Sequence, residues 1–181
     1  MTELAIEIAR EGREGRKIGT LFTVGSEESV LRHSRSLILD PLAGHAAIDC
    51  RIEDTNVRET IKELAQLDGG FVISRDGVVL SGCRYFESSL QPGPQSLGLG
   101  TRHMAAASIS ARTGAIAIVV SESSIVRLYA SGNLFTEILP ELWLMHRYMS
   151  HIDKPFVTSD HAHNLGILSD RTGASRPTDA R

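Results

Sequence analysis

The chain has 181 residues, 41% of them apolar and 23% charged, the make-up of a globular protein with a core of its own. Its formal net charge of −3 gives no general attraction to nucleic acid or to an anionic membrane, and no run approaches the roughly 18 apolar residues of a membrane span. Two cysteines, Cys50 and Cys83, are too few for a disulfide framework and read as free thiols in a reducing compartment; with no secretory signal at the start, a cytoplasmic protein is expected.

Residues 3–14 set Leu4, Ala5, Ile8 and Ala9 at helical spacing, which predicts an amphipathic helix ended by Gly12 and Gly15. Lys17 to Val24 is a β-rich run closed by Gly25. Ser26 is placed to cap a second helix over 26–38. Glu27 and Glu28 fall in its first turn, near the positive end of the helix dipole, and Val30, Leu31, Leu37 and Ile38 form its buried side. Asp40-Pro41 breaks the chain, and residues 41–53 read as a connector or a short strand. Asp54 caps a third helix over 55–66, with Val57, Ile61, Leu64 and Ala65 on one side. After Asp68-Gly69-Gly70, the runs Phe71 to Ile73 and Val78 to Leu80 flank Asp76-Gly77. That pair tolerates the positive φ of a tight turn and predicts a hairpin.

Residues 87–100 are rich in Gly, Pro and Ser and read as a loop. A helix is predicted from Thr101 to Thr113, with Gly114 as its C-cap. Ala115 to Val120 is continuously apolar, as a strand covered on both faces would be, and Ile125 to Ala130 reads as its antiparallel partner. Phe135 to Met149 has the pattern of a last helix, interrupted by Pro140, and residues 169–181 carry no pattern of order. The expected fold class is α/β: a mixed central β-sheet surrounded by helices in a single domain over 1–160, with a partly disordered tail over 161–181.

Chemistry concentrates in two kinds of segment. Gly98 and Gly100 would let backbone amides approach a ligand, and the helix starting near Thr101 offers unpaired N–H groups and a positive dipole end. Thr101 adds a hydroxyl, Arg102 a fork of donors and His103 a further donor, which together suit a triphosphate. The alternative is a capped helix with Arg102 in a surface ion pair and His103 in a satisfied hydrogen bond. Asp68 and Glu122 are carboxylates of the kind a hard cation prefers; otherwise they are a turn aspartate and a solvated strand end.

Leu67-Asp68-Gly69-Gly70, then Leu99-Gly100-Thr101-Arg102-His103-Met104-Ala105-Ala106, then Val119-Val120-Ser121-Glu122 resemble, in order and separation, three signature segments of the diadenylate cyclase domain, known also as the DisA N-terminal domain. The resemblance spans about residues 65–132, and the first two helices are similar to those of stand-alone archaeal-type members. It implies that ATP is the substrate, cyclic di-AMP the product and Mg²⁺ or Mn²⁺ the cofactor. Each subunit of a homodimer or larger homo-oligomer would present one ATP face to face with a partner's, with no DNA or membrane involved. It assigns metal binding to Asp68 and Glu122 and catalysis to Asp68, Arg102 and His103. Nucleotide binding falls to Gly69, Gly70, Gly100, Thr101, Arg102 and His103.

The segment from Arg84 to Leu90 resembles the part of the family that covers adenine; Tyr85 or Leu90 would pack on the base, or else serve the core. Where the family usually has Ala this chain has Gly70, expected to loosen the turn, and Met104 stands where many members carry Arg. A binding or sensor module that retains the pocket without turnover is the rival reading, and a metal-dependent nucleotide hydrolase a third. His161 and His163 read as a tail pair rather than metal ligands.

Overall fold

The computed structural model describes residues 1–37, 39–88, 100–140, 156–160 and 165–169. Met1 to Pro140 form one compact unit and Glu141 to Arg181 a second. Helix α1 spans Thr2–Glu11, β1 Thr20–Val24, α2 Glu27–Arg32 and β2 Ser34–Ser36; a 3₁₀ turn over Ala47–Cys50 precedes α3, Thr55–Leu64. Strand β3 is Gly70–Ile73, β4 Val79–Phe86, α4 Thr101–Thr113, β5 Ile116–Val120, β6 Val126–Ala130 and β7 Asn133–Ile138. In the second unit β8, Phe156–Asp160, pairs antiparallel with β9, Leu165–Ser169, and β9 falls within the expected tail.

The first unit is built on a sheet of order β2-β4-β3-β1-β5-β6-β7. β1 and β3 run parallel, and the other neighbours run antiparallel. Successive strand residues face opposite sides of a sheet. On one side Leu21, Val72, Ala117, Val119 and Tyr129 form a core with Ala106 and Ile109 of α4 and Val30 of α2. Their neighbours Phe22, Phe71, Ile118 and Val120 are buried on the other side, where the Phe22 and Phe71 rings stack at 5.3 Å. α1 lies against β5 and β6 yet adds nothing to the α4 core, so it covers this second side, with Leu4 and Ile8 fully buried. The expected α/β architecture, a mixed central sheet between helices, is what the chain adopts.

α3 is capped as expected: the Asp54 carboxylate accepts from the backbone of Asn56 and Val57. Gly77 closes the β3–β4 hairpin at φ 84° and Gly114 ends α4 at φ 72°. Three expectations fail. The helix drawn over 26–38 stops at Arg32, because Ser34 to Ser36 pair with Arg84 to Phe86 of β4. Ser26 sits at the cap position in a left-handed conformation and its side chain caps nothing. The last helix drawn from Phe135 is instead β7 as far as Ile138. Ser131 and Gly132, both at positive φ, turn the chain back onto β6. The rest of that expected helix, 141–149, lies outside the described residues. Among the described residues no helix is long and apolar enough to cross a membrane.

Candidate active site

Helix α4 opens the site. Its N-cap, Gly100, has no side chain to satisfy the first-turn amides, and a Cβ added there would meet no atom within 4 Å. Two cavities flank this helix start and share Thr101 and Arg102. One, of about 440 Å³, is lined by Leu21, Asp68, Gly69, Tyr85, Phe86 and Thr101, among others. The other, of about 400 Å³, is lined by Gly100, Thr101, Arg102, Ser121, Glu122 and Arg127, among others. The three sequence segments thus meet around one helix terminus, brought there by α4, by the turn before β3 and by the end of β5.

In the first cavity Asp68 is exposed, and its carboxylate has no partner among the described residues. Gly69 holds φ 99°, and a Cβ there would stand 2.7 Å from the Cys83 carbonyl carbon, so conformation and space both require glycine. Gly70 does not loosen anything. It is the buried first residue of β3, and a methyl would lie 2.3 Å from the Leu21 carbonyl oxygen and 2.8 Å from Phe86 Cε2. Tyr85 is 43% exposed, with the Arg35 guanidinium 4.9 Å from its ring centre. Arg84 donates Nε to Ser34 Oγ at 2.8 Å and Nη2 to the Ser34 carbonyl at 2.9 Å, which ties β2 to β4. Leu90, the other residue expected over adenine, lies outside the described residues, as does Gly98.

In the second cavity Arg102 Nη1 pairs with Glu122 Oε1 at 3.2 Å. Gly19 makes the room: a Cβ there would stand 2.6 Å from Arg102 Nη1 and 3.3 Å from Glu122 Cγ. His103 is buried beneath the helix start, with Nδ1 3.0 Å from the Tyr129 hydroxyl and Nε2 3.5 Å from Arg127 Nη1. A guanidinium only donates, so Nε2 accepts and the ring proton belongs on Nδ1, directed at Tyr129. Burial, reinforced by the charge of Arg127, lowers the His103 pKa from 6.5 to about 4. The imidazole is therefore neutral near pH 7, with both nitrogens engaged. Burial also pushes the Tyr129 hydroxyl up, so it stays protonated.

Asp68 and Glu122 line different cavities. Among the described residues no three His, Cys, Asp or Glu side chains gather to hold a metal ion. Sequence reasoning missed Gly19 and Arg127. Gly19 carries no signal, because its importance is the space it leaves. Arg127 carried one: alternation along β6 puts it on the same side as Tyr129, facing in toward α4.

A family model described as DisA bacterial checkpoint controller nucleotide-binding matches residues 7–134. The chain belongs to that family. Two curated relatives, each named diadenylate cyclase, extend the likeness. The protein of Methanocaldococcus jannaschii is 48% identical over 141 residues, 76% of this chain and 44% of the relative. That of Haloferax volcanii is 40% identical over 143 residues, 78% of this chain and 52% of the relative. The chain spans about half the length of these curated relatives. Among solved structures, DacA from Staphylococcus aureus superposes with a TM-score of 0.54 at 21% identity, over 82% of this chain and 92% of that one. A hypothetical membrane spanning protein from Bacillus cereus gives 0.54 at 20% identity, over 76% of this chain and 61% of that one. Both share the fold of this DisA-family chain. The family match takes in Asp68, the start of α4 and Glu122 together, the three segments that meet at the site.

Proposed function

We propose that the protein is a diadenylate cyclase, condensing two ATP molecules into cyclic di-AMP and two pyrophosphates. One geometric fact supports the reading most: two cavities share the amide-rich start of α4, one walled by an aromatic ring and Asp68, the other by Arg102 and Glu122. A nucleotide laid across Thr101 has its base beside Tyr85 and its phosphates against Arg102 and the α4 amides.

In this reading each subunit holds one ATP and two subunits face each other. The 3′-hydroxyl oxygen of one ATP forms a bond to the α-phosphorus of the other. The bond from that phosphorus to the β-phosphate oxygen breaks, and pyrophosphate leaves with the electron pair. Asp68 orients the hydroxyl and takes or relays its proton. Thr101, Arg102 and the α4 amides hold charge as it develops on the phosphates, and Gly69 and Gly70 bring the β3 backbone close to the nucleotide. His103 lies beneath them, neutral, and keeps the helix start in place. Asp68 in one cavity and Glu122 in the other are exposed carboxylates, and each, with phosphate oxygens to complete the shell, would suit a hard divalent cation, Mg²⁺ or Mn²⁺. Such an ion would neutralise phosphate charge near the reacting oxygen. To serve it, Glu122 must give up Arg102, and a triphosphate is the natural replacement partner for that guanidinium.

The deciding assay incubates purified protein with ATP and Mn²⁺ or Mg²⁺ and separates the products by chromatography. Cyclic di-AMP is the expected product. ATP bound but unchanged would leave a binding module, and AMP or ADP would make the protein a hydrolase.

A further inference from the structure

Arg127 stands in the phosphate-side cavity. Its side chain is 13% exposed and helps line the wall opposite α4. It projects from β6, whereas Arg102 projects from α4. In the sheet it stands across from Val119 on one side and Glu137 on the other. Its Nε donates to the Glu137 carboxylate and its Nη1 reaches His103 Nε2. A guanidinium has five N–H donors. With two used in this way, three remain without a partner among the described residues.

The two anchors differ in kind. Glu137 is absent from the cavity lining, so an anion in the cavity meets Arg127 and not its counter-ion. His103, held neutral, accepts a hydrogen bond without adding charge of either sign. The result is a guanidinium fixed at Nε and Nη1 that lines a space shared with the start of α4, Arg102 and Glu122. A surface arginine would have to be ordered when a ligand arrived; this one is ordered beforehand, which lowers the entropic penalty of binding.

We propose that Arg127 is a second phosphate-binding guanidinium, gripping the polyphosphate end of the nucleotide from the β6 side while Arg102 grips it from α4, with Glu137 and His103 as its positioning residues. This rests on the cyclase reading for the identity of the nucleotide, although the anion site itself does not need turnover.

The test is equilibrium binding by calorimetry, with inorganic triphosphate, ATP and AMP as separate probes, on the parent chain, Arg127→Ala, Arg127→Lys and Glu137→Gln. Circular dichroism melts accompany each variant. Arg127→Ala should weaken triphosphate and ATP by about tenfold to a hundredfold, the value of charge-assisted hydrogen bonds, while AMP changes by less than about twofold. Arg127→Lys should recover part of the loss, and Glu137→Gln should weaken triphosphate less than Arg127→Ala does. Triphosphate and ATP binding unchanged in Arg127→Ala would overturn the proposal, as would an equal loss for AMP, which would mark a distorted pocket. If Arg127→Ala fails to fold, unchanged binding by the folded Arg127→Lys and Glu137→Gln variants would overturn it equally. The cyclase reading fails separately, if the parent chain binds triphosphate but yields no cyclic di-AMP from ATP.

Discussion

At the scale of single residues, glycine and histidine were the hardest to read. Asp68 lines a cavity beside the start of α4, on the turn that Gly69 and Gly70 mark in the sequence. Asp68→Asn keeps the side chain's shape and removes its charge, so turnover should fall by about 10²-fold or more with the thermal midpoint unchanged; parent-like turnover would remove Asp68 from the mechanism. Gly70 misled, because the space around a glycine is invisible in a sequence. Gly70→Ala should destabilise the fold by about 1–3 kcal/mol, since the methyl meets the Leu21 carbonyl oxygen at 2.3 Å, and a urea titration reads this directly. His103 suggested a donor, but the fold buries it between Tyr129, Arg127, Arg102 and, further out, Glu137. Its folded pKa of about 4 lies below the ordinary 6.5, so the folded state binds the proton less readily than the unfolded one. Its contribution to stability is complete above about pH 6.5 and is lost as the pH falls through about 4, amounting to about 3 kcal/mol at most. Thermal melts across that window should fall more steeply for the parent than for His103→Gln; parallel curves would show that the imidazole titrates freely.

Elements with strong local signals came out where the sequence placed them: α3 with its aspartate cap, the Asp-Gly hairpin, α4 with its glycine terminus, and β5 and β6. β2 was illegible because Ser34-Arg35-Ser36 has no apolar alternation. It is a strand because β4 pairs with β3 along one edge and leaves the other edge open for it, and because Arg84 ties it down. β7 was read as helix because Phe135, Ile138 and Leu139 also suit a helical period. The turn at Ser131-Gly132 decided otherwise, by handing the chain to the open edge of β6. The first and third helices are joined by charge. Lys62, its side chain only 7% exposed, pairs with Glu7 at 3.0 Å, Glu11 at 3.2 Å and Glu59 at 2.8 Å, while Arg58 reaches Glu7. Removing the central cation leaves Glu11 without its cation and weakens the hold on Glu7 and Glu59, which keep Arg58 and Arg13, so Lys62→Ala should cost about 1–3 kcal/mol and lower the thermal midpoint by roughly 2–10 °C. Nucleotide affinity should not move, because none of these groups lines either cavity beside α4.

For the molecule as a whole, the proposed product would set the demand. Two nucleotides joined head to tail through both 3′-hydroxyls need two sites that meet about a two-fold axis. On the cyclase reading, activity per milligram should rise with protein concentration and level off as the pair becomes populated, and an excess of Asp68→Asn chain should poison the parent. Constant specific activity down to concentrations at which light scattering finds only monomer would rule out the face-to-face arrangement.

The place of β1 in the sheet also governs the order in which the chain can be assembled on the ribosome. β1, Thr20–Val24, is synthesised early, but its neighbours are β3, starting at Gly70, and β5, ending at Val120. Half of its backbone therefore waits for a partner until nearly a hundred further residues have been made. Sheets closed by such distant pairings fold slowly, and an unpaired apolar edge invites other chains. The nascent protein is most exposed to aggregation between the emergence of β3 and that of β5. Chains truncated after Gly114 should gather in the insoluble fraction, whereas chains ending after Pro140 should fold; a soluble, monomeric product from the shorter truncation would show that β1 finds cover elsewhere.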